Sequence, residues 1–185
     1  MTVIGRRGLM AGLAAAGLTA GCGNGVGSVG PATIDGRVEA TLERMYSTLP
    51  DTRILADKSV GMLVMPVMTE AGLGLGGAYG RGALRIDGAT VDYYSAARGS
   101  VGPQIGVQQY SHVLFFMTTE ALERFRSGRG WAAGADIEYA FNDLGENMSA
   151  ETTTTRTPVI AVVFGQAGLR AGATLEGTKY TRIIP

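Results

Sequence analysis

The stretch from Gly72 to Gly82, Gly-Leu-Gly-Leu-Gly-Gly-Ala-Tyr-Gly-Arg-Gly, constrains this chain more than any other. Its even positions are all Gly or Ala: Gly72, Gly74, Gly76, Ala78, Gly80 and Gly82. A helix interior tolerates glycine poorly, at about 1 kcal/mol each relative to Ala. In a strand, successive side chains point to opposite faces. An extended chain here therefore has one nearly bare face and one carrying Leu73, Leu75, Tyr79 and Arg81. A bare face admits another backbone, a helix or a flat ligand at close range. The entropy lost at each glycine must be offset by whatever packs there. The expectation is a sheet in which this strand has a very close neighbour.

Gly72, Gly74 and Gly77 also spell Gly-x-Gly-x-x-Gly behind the apolar run Met62 to Met68. A dinucleotide site needs a helix opening at the third glycine and an acidic residue further on. Asp92 stands at a tolerable distance, but Gly80 and Gly82 occupy the place of that helix. The packed strand is the better reading. No nucleophile constellation appears elsewhere: Ser100 follows Gly99 without the Gly-x-Ser-x-Gly elbow. His112 lies in an apolar-flanked run with no Ser or Cys partner evident, as a core or edge histidine would. Asp136 and Glu138 share a strand face, which acid–base carboxylates also do, yet exposed charges on an outer face account for them. One Cys and one His leave no intramolecular disulfide and few metal sites. No catalytic residue, metal or cofactor is expected.

Residues 1–22 read as a targeting segment. Arg6 and Arg7, followed by Gly8-Leu9-Met10, are similar to a twin-arginine export signal. The run to Gly21 is too short and too rich in Gly and Ala for a stable membrane span. Leu18-Thr19-Ala20-Gly21-Cys22 resembles the lipobox of bacterial lipoproteins, with Thr19 where Leu is usual. That resemblance implies diacylglycerol on Cys22 as the first mature residue; the alternative is a plain cleaved signal. Gly23 in place of an inner-membrane retention Asp implies the outer membrane, facing the periplasm. Without Arg6 and Arg7 the chain carries 14 basic and 16 acidic side chains, about −2, which offers no pull toward nucleic acid.

Residues 23–33 are Gly-rich and aperiodic, a tether. The domain is expected over 34–185, one unit by length. Ile34, Val38, Leu42, Met45 and Leu49 recur at helical spacing, and Pro50 closes that helix or opens a short second one over 51–59. Charges on both helices read as solvated faces. Strands are expected over 60–68, ending in a turn at Pro66, then over 72–82. Two more, 83–86 and 90–94, flank the hairpin turn Asp87-Gly88, and others follow over 100–107 and 111–117. Thr118 caps a short helix over 119–126 with Gly128 as its stop. Further strands fall over 131–141, 159–164 (β-branched and central) and 168–184, with a polar loop over 142–156. The fold class is α+β: a curved, mainly antiparallel, Gly-rich, barrel-like sheet of six or more strands with two or three helices against it.

Several blocks in this order resemble the SYLF family of lipid-binding domains. They are Val64-Met65-Pro66, Ala71 to Leu84, Ser100 to Gln108, Leu114 to Phe125 and Gly168 to Lys179, spread over about residues 34–184. The resemblance implies binding rather than catalysis. Eukaryotic members associate with phosphoinositides, some fungal members bind and bundle actin, and bacterial members look like exported lipoproteins. Much of the lipid affinity in eukaryotic relatives goes with a basic amphipathic N-terminal segment. Here the helix over 34–49 sets Arg37 and Arg44 against Asp35, Glu39 and Glu43 and so lacks a basic face. The cations nearest the striped segments, Arg81, Arg85, Lys179 and Arg182, are the candidate lipid-headgroup contacts. The expected partner is membrane phospholipid, through the anchor and through the domain. The competing reading is a structural or protein-interaction lipoprotein whose smooth sheet serves internal packing alone.

Overall fold

The computed structural model describes residues 30–128, 131–133, 137–140, 157–165, 175 and 177–185. The leader with Arg6, Arg7 and Cys22, the tether up to residue 29, the polar loop over 142–156 and residues 168–174 lie outside the described residues. Three helices, α1 (Gly30–Thr48), α2 (Thr52–Lys58) and α3 (Thr119–Ser127), accompany a six-stranded sheet. Its strands are β1 (Gly61–Ile86), β2 (Ala89–Phe116), β3 (Trp131–Ala132), β4 (Ile137–Ala140), β5 (Val159–Gly165) and β6 (Lys179–Ile183). The fold is α+β, and every pairing is antiparallel except β4 with β5. Spatial order is β3-β6-β2-β5-β4, with β1 on the other edge of β2. The sheet does not close into a barrel among the described residues; its curvature comes from bends within two very long strands.

Those two strands form one hairpin. Asp87 (φ 49°) and Gly88 (φ 78°) make the expected two-residue turn, in the left-handed region that primed hairpin turns require. Pairing then runs from Ile86↔Ala89 out to Gly61↔Phe116. The sequence reading divides this ribbon into separate strands and ends one at Pro66; the structure carries a single strand through. Breaks in register between Met65 and Met68, Leu73 and Leu75, and Leu84 and Arg85 take up the irregular residues instead. At the first, Pro66 and Val67 stand opposite Ser111 alone, whose hydroxyl donates to the Pro66 carbonyl at 2.6 Å. Proline cannot donate to a ladder, so a bulge is where a paired strand accepts it. At the second, Gly74 alone stands opposite Gly102, Pro103 and Gln104.

Bulges bend and twist a ribbon, and this one turns back on itself. A Cβ on Gly82 would overlap the carbonyl oxygen of Val64, and one on Gly80 the carbonyl oxygen of Val67. The close neighbour demanded by the glycine stripe is therefore the first half of the same strand. Gly72 serves the bend itself, where a Cβ would lie 2.9 Å from the Cα of Gly76.

Alternation sorts the core onto two faces. Leu63, Met65, Met68, Leu84, Tyr94, Leu114 and Phe116 point inward with Leu122 and Phe125 of α3. Val64, Val113, Phe115, Ile160 and Val162 point outward under Ile34, Val38, Leu42 and Met45 of α1. These four belong to the five-residue repeat read from the sequence; its fifth member, Leu49, lies just past the end of α1 and is partly buried, and α1 begins earlier than expected, with Pro31 in its first turn. β5 lies between β2 and β4 and is buried nearly throughout, as its β-branched run suggests. The single strand expected over 131–141 is instead two short ones at opposite ends of the sheet order, because β3 pairs with β6 and β4 with β5. Along the free edge of β2, β6 covers Tyr93 to Ala97 and β5 covers Tyr110 to Phe116.

Candidate functional site

Helix α1 sorts its charges by angle. Successive residues turn by about 100°, which puts Asp35 and Glu39 on one side and Arg37 and Arg44 nearly opposite. The acidic side faces the hairpin tip. Asp35 accepts hydrogen bonds from Thr90 Oγ1 (3.0 Å) and the Tyr93 hydroxyl (2.8 Å), and Glu39 pairs with Arg85. Burial, helped by the hydrogen bond to Asp35 and its charge, pushes the Tyr93 hydroxyl up to about 12, so it remains a donor. These contacts fix the helix's rotation, and the opposite side, with its arginines, faces the bent part of β1.

There the helix and the strand enclose a groove of about 400 Å³ lined by Gly30, Thr33, Arg37, Pro66, Thr69, Tyr79 and Arg81, among others. A second hollow of about 360 Å³ shares Arg37, Pro66 and Val67 with the first and adds Thr41, Arg44 and Gln109. The linings contain three arginines and no carboxylate. All three are exposed, and none forms a salt bridge among the described residues. Hydroxyls from Thr33, Thr69 and Tyr79 supply neutral donors beside them. Guanidinium groups with hydroxyl donors in an open groove suit the oxygens of a phosphate or other anion.

The four cations picked from the sequence part company. Arg81 lines the groove. Arg85 is engaged with Glu39 and the Gly88 carbonyl oxygen. Arg182 shares Asp92 with Arg126, each at 3.3 Å, and donates to the Arg126 carbonyl oxygen at 3.3 Å. Lys179 is exposed on β6, paired in register with Ala97. Arg37 and Arg44 are the groove residues the sequence reading passes over, since it weighs the charges of α1 together. Their separation of seven residues, two helical turns, was the available signal.

The structural glycines divide in a similar way. Gly80 and Gly82 are filled over by their own strand, Gly72 and Gly76 meet across the bend, and Gly74 sits at the break in register. At Gly80 and Gly82 the bare face is thus an internal contact.

His112, set apart as a core histidine, is fully buried with its Nε2 hydrogen-bonded to the Tyr180 hydroxyl at 2.8 Å. Desolvation, and then the charge of Arg98, hold its pKa down near 3. It is neutral at any ordinary pH. Among the described residues no cluster of His, Cys, Asp and Glu suited to a metal ion comes together, and no helix is long and apolar enough to cross a membrane.

No curated protein matches this chain. Residues 97–182 match the family model described as "Ysc84: Las17-binding protein actin regulator". That segment runs from the middle of β2 through α3 and on to β6, and it includes three of the blocks that carry the sequence resemblance in whole or in part. Over residues 97–182 the chain is therefore similar to the Ysc84, or SYLF, family.

Proposed function

We propose that this protein is a membrane-anchored lipoprotein of the cell envelope whose domain binds anionic phospholipid and carries out no catalysis. The observation that carries the reading is the groove between α1 and β1, with Arg37, Arg44 and Arg81 and no opposing carboxylate. The family supports it, because a SYLF domain points to a lipid-binding or actin-regulating role. Arg6 and Arg7 supply the export signal, and Cys22, the chain's only cysteine, takes the diacylglycerol. The domain then faces the periplasm from the outer membrane. Mass spectrometry of the mature N-terminus checks the anchor: an unmodified thiol, or cleavage elsewhere, removes it.

The groove is tested by co-sedimentation of a Cys22→Ser chain with phosphatidylcholine vesicles, with and without phosphatidylglycerol, at low salt. Each arginine at an anionic surface contributes about 1 kcal/mol. The Arg37→Gln/Arg81→Gln pair is expected to lower retention on anionic vesicles roughly thirtyfold, whereas Arg182→Gln, already satisfied by Asp92, leaves it unchanged. Equal retention on neutral and anionic vesicles would sink the reading. The family's description names protein binding too; a domain that ignores both vesicle types would favour that competing role.

A further inference from the structure

The groove opens beside a second feature with different chemistry. Between the break in register at Pro66 and the pairing with β6, the hairpin runs as a two-stranded ribbon, since neither β5 nor β6 reaches β2 between Arg98 and Gln109 among the described residues. Where this ribbon bends, Leu73 is 79%, Leu75 75% and Val107 70% exposed. Elsewhere in the described chain, large apolar side chains left this bare are rare, the terminal Ile184 being the comparable case. No Asp, Glu, Lys or Arg occurs from Ala71 to Gly80 or from Gly99 to Met117. The nearest charges, Glu70 and Arg98, neutralise each other at the neck in a largely buried pair at 3.0 Å.

We propose that the bend around Leu73, Leu75 and Val107 dips into the acyl boundary of a phospholipid bilayer while the adjoining arginine groove holds the headgroups. The proposal rests on the lipid-binding reading and names the part of the molecule that enters the membrane. Continuity argues for a lipid surface over a protein one. Thr69 and Tyr79, which line the groove, lie four residues to either side of Leu73 and Leu75, and Gln109 of the second hollow lies two residues beyond Val107. Apolar tips beside clustered cations match the order of chemistry met on entering an anionic leaflet. Tyr79, half-exposed at the junction, has the amphipathic ring favoured at that depth. Penetration is shallow, because among the described residues no strand pairs with the outer edges of this part of the ribbon, and open edges are costly in hydrocarbon.

The test places a single indole at the bend: Leu75→Trp in a Cys22→Ser/Trp131→Phe chain, mixed with phosphatidylcholine–phosphatidylglycerol vesicles whose acyl chains are brominated. Quenching of the indole by the brominated chains is the expected result. Co-sedimentation with an unquenched indole overturns insertion and leaves lipid binding standing; failure of the Cys22→Ser chain to co-sediment overturns both. In parallel, Leu73→Ser/Leu75→Ser is expected to lower vesicle partitioning roughly tenfold or more, with the far-ultraviolet circular dichroism unchanged. Unchanged partitioning refutes the proposal. So does a lipid-free dimer that the same pair of substitutions dissolves, which would assign the bend to a second copy of the chain.

Discussion

Gly82 and Gly99 sit on the same hairpin and differ in what faces them. A methyl group at Gly82 meets the Val64 carbonyl, which belongs to a paired strand and cannot withdraw, whereas one at Gly99 meets nothing within 4 Å. Gly82→Ala should therefore cost about 3 kcal/mol, the upper end of ordinary overpacking. Gly99→Ala should be neutral or stabilising by about 0.5 kcal/mol through the unfolded chain. Urea unfolding of the two variants checks the contrast. His112 carries a different residue-scale consequence. Its folded pKa is near 3 against 6.5 unfolded, so between those values the unfolded chain binds a proton that the native one refuses. Stability is then complete above pH 6.5 and falls as the pH drops toward 3. The loss from this group is about 2 kcal/mol on going from about pH 6.5 to about 5. His112→Gln should flatten that part of the stability–pH curve, and an unaltered slope would show that another group sets it.

Among the elements, α3 is held by the most local device. Thr118 Oγ1 accepts from the Ala121 amide at 3.2 Å, Glu120 lies in the first turn, and Phe125 is almost wholly buried against the inner core. Thr118→Ala should cost about 1 kcal/mol, read as a lowered thermal midpoint with the spectrum of the native state retained. This helix was legible because its signals are sequential neighbours. So was α1, whose apolar repeat matches the buried set Ile34, Val38, Leu42 and Met45. The long hairpin was not. Pro66 and the glycines read locally as ends of strands, while at bulges they keep a strand paired and bend it. The glycine stripe correctly announced a close neighbour, but not that the neighbour was Val64 to Val67 of the same strand. For the site, Arg81 was legible from its place in the stripe. Arg37 and Arg44 were hidden by Asp35, Glu39 and Glu43, since nothing in the sequence says that Thr90, Tyr93 and Arg85 draw two of those carboxylates to the other side.

At the scale of the molecule, the contacts of α1 with the hairpin tip join residues 46 to 58 apart in sequence and set one end of the domain. The arginine groove opens at the start of that helix, with Gly30 and Thr33 in its lining. Cys22 precedes Gly30 by only eight residues. Even fully extended, a link of that length reaches about 28 Å. A sulfur held at a bilayer by acyl chains would thus keep the mouth of the groove within about one leaflet's depth or two of the surface at all times. Headgroup capture then becomes an intramolecular event, governed by effective concentration rather than by diffusion from bulk. A groove so leashed would stay filled at an affinity that holds only part of the Cys22→Ser chain on vesicles.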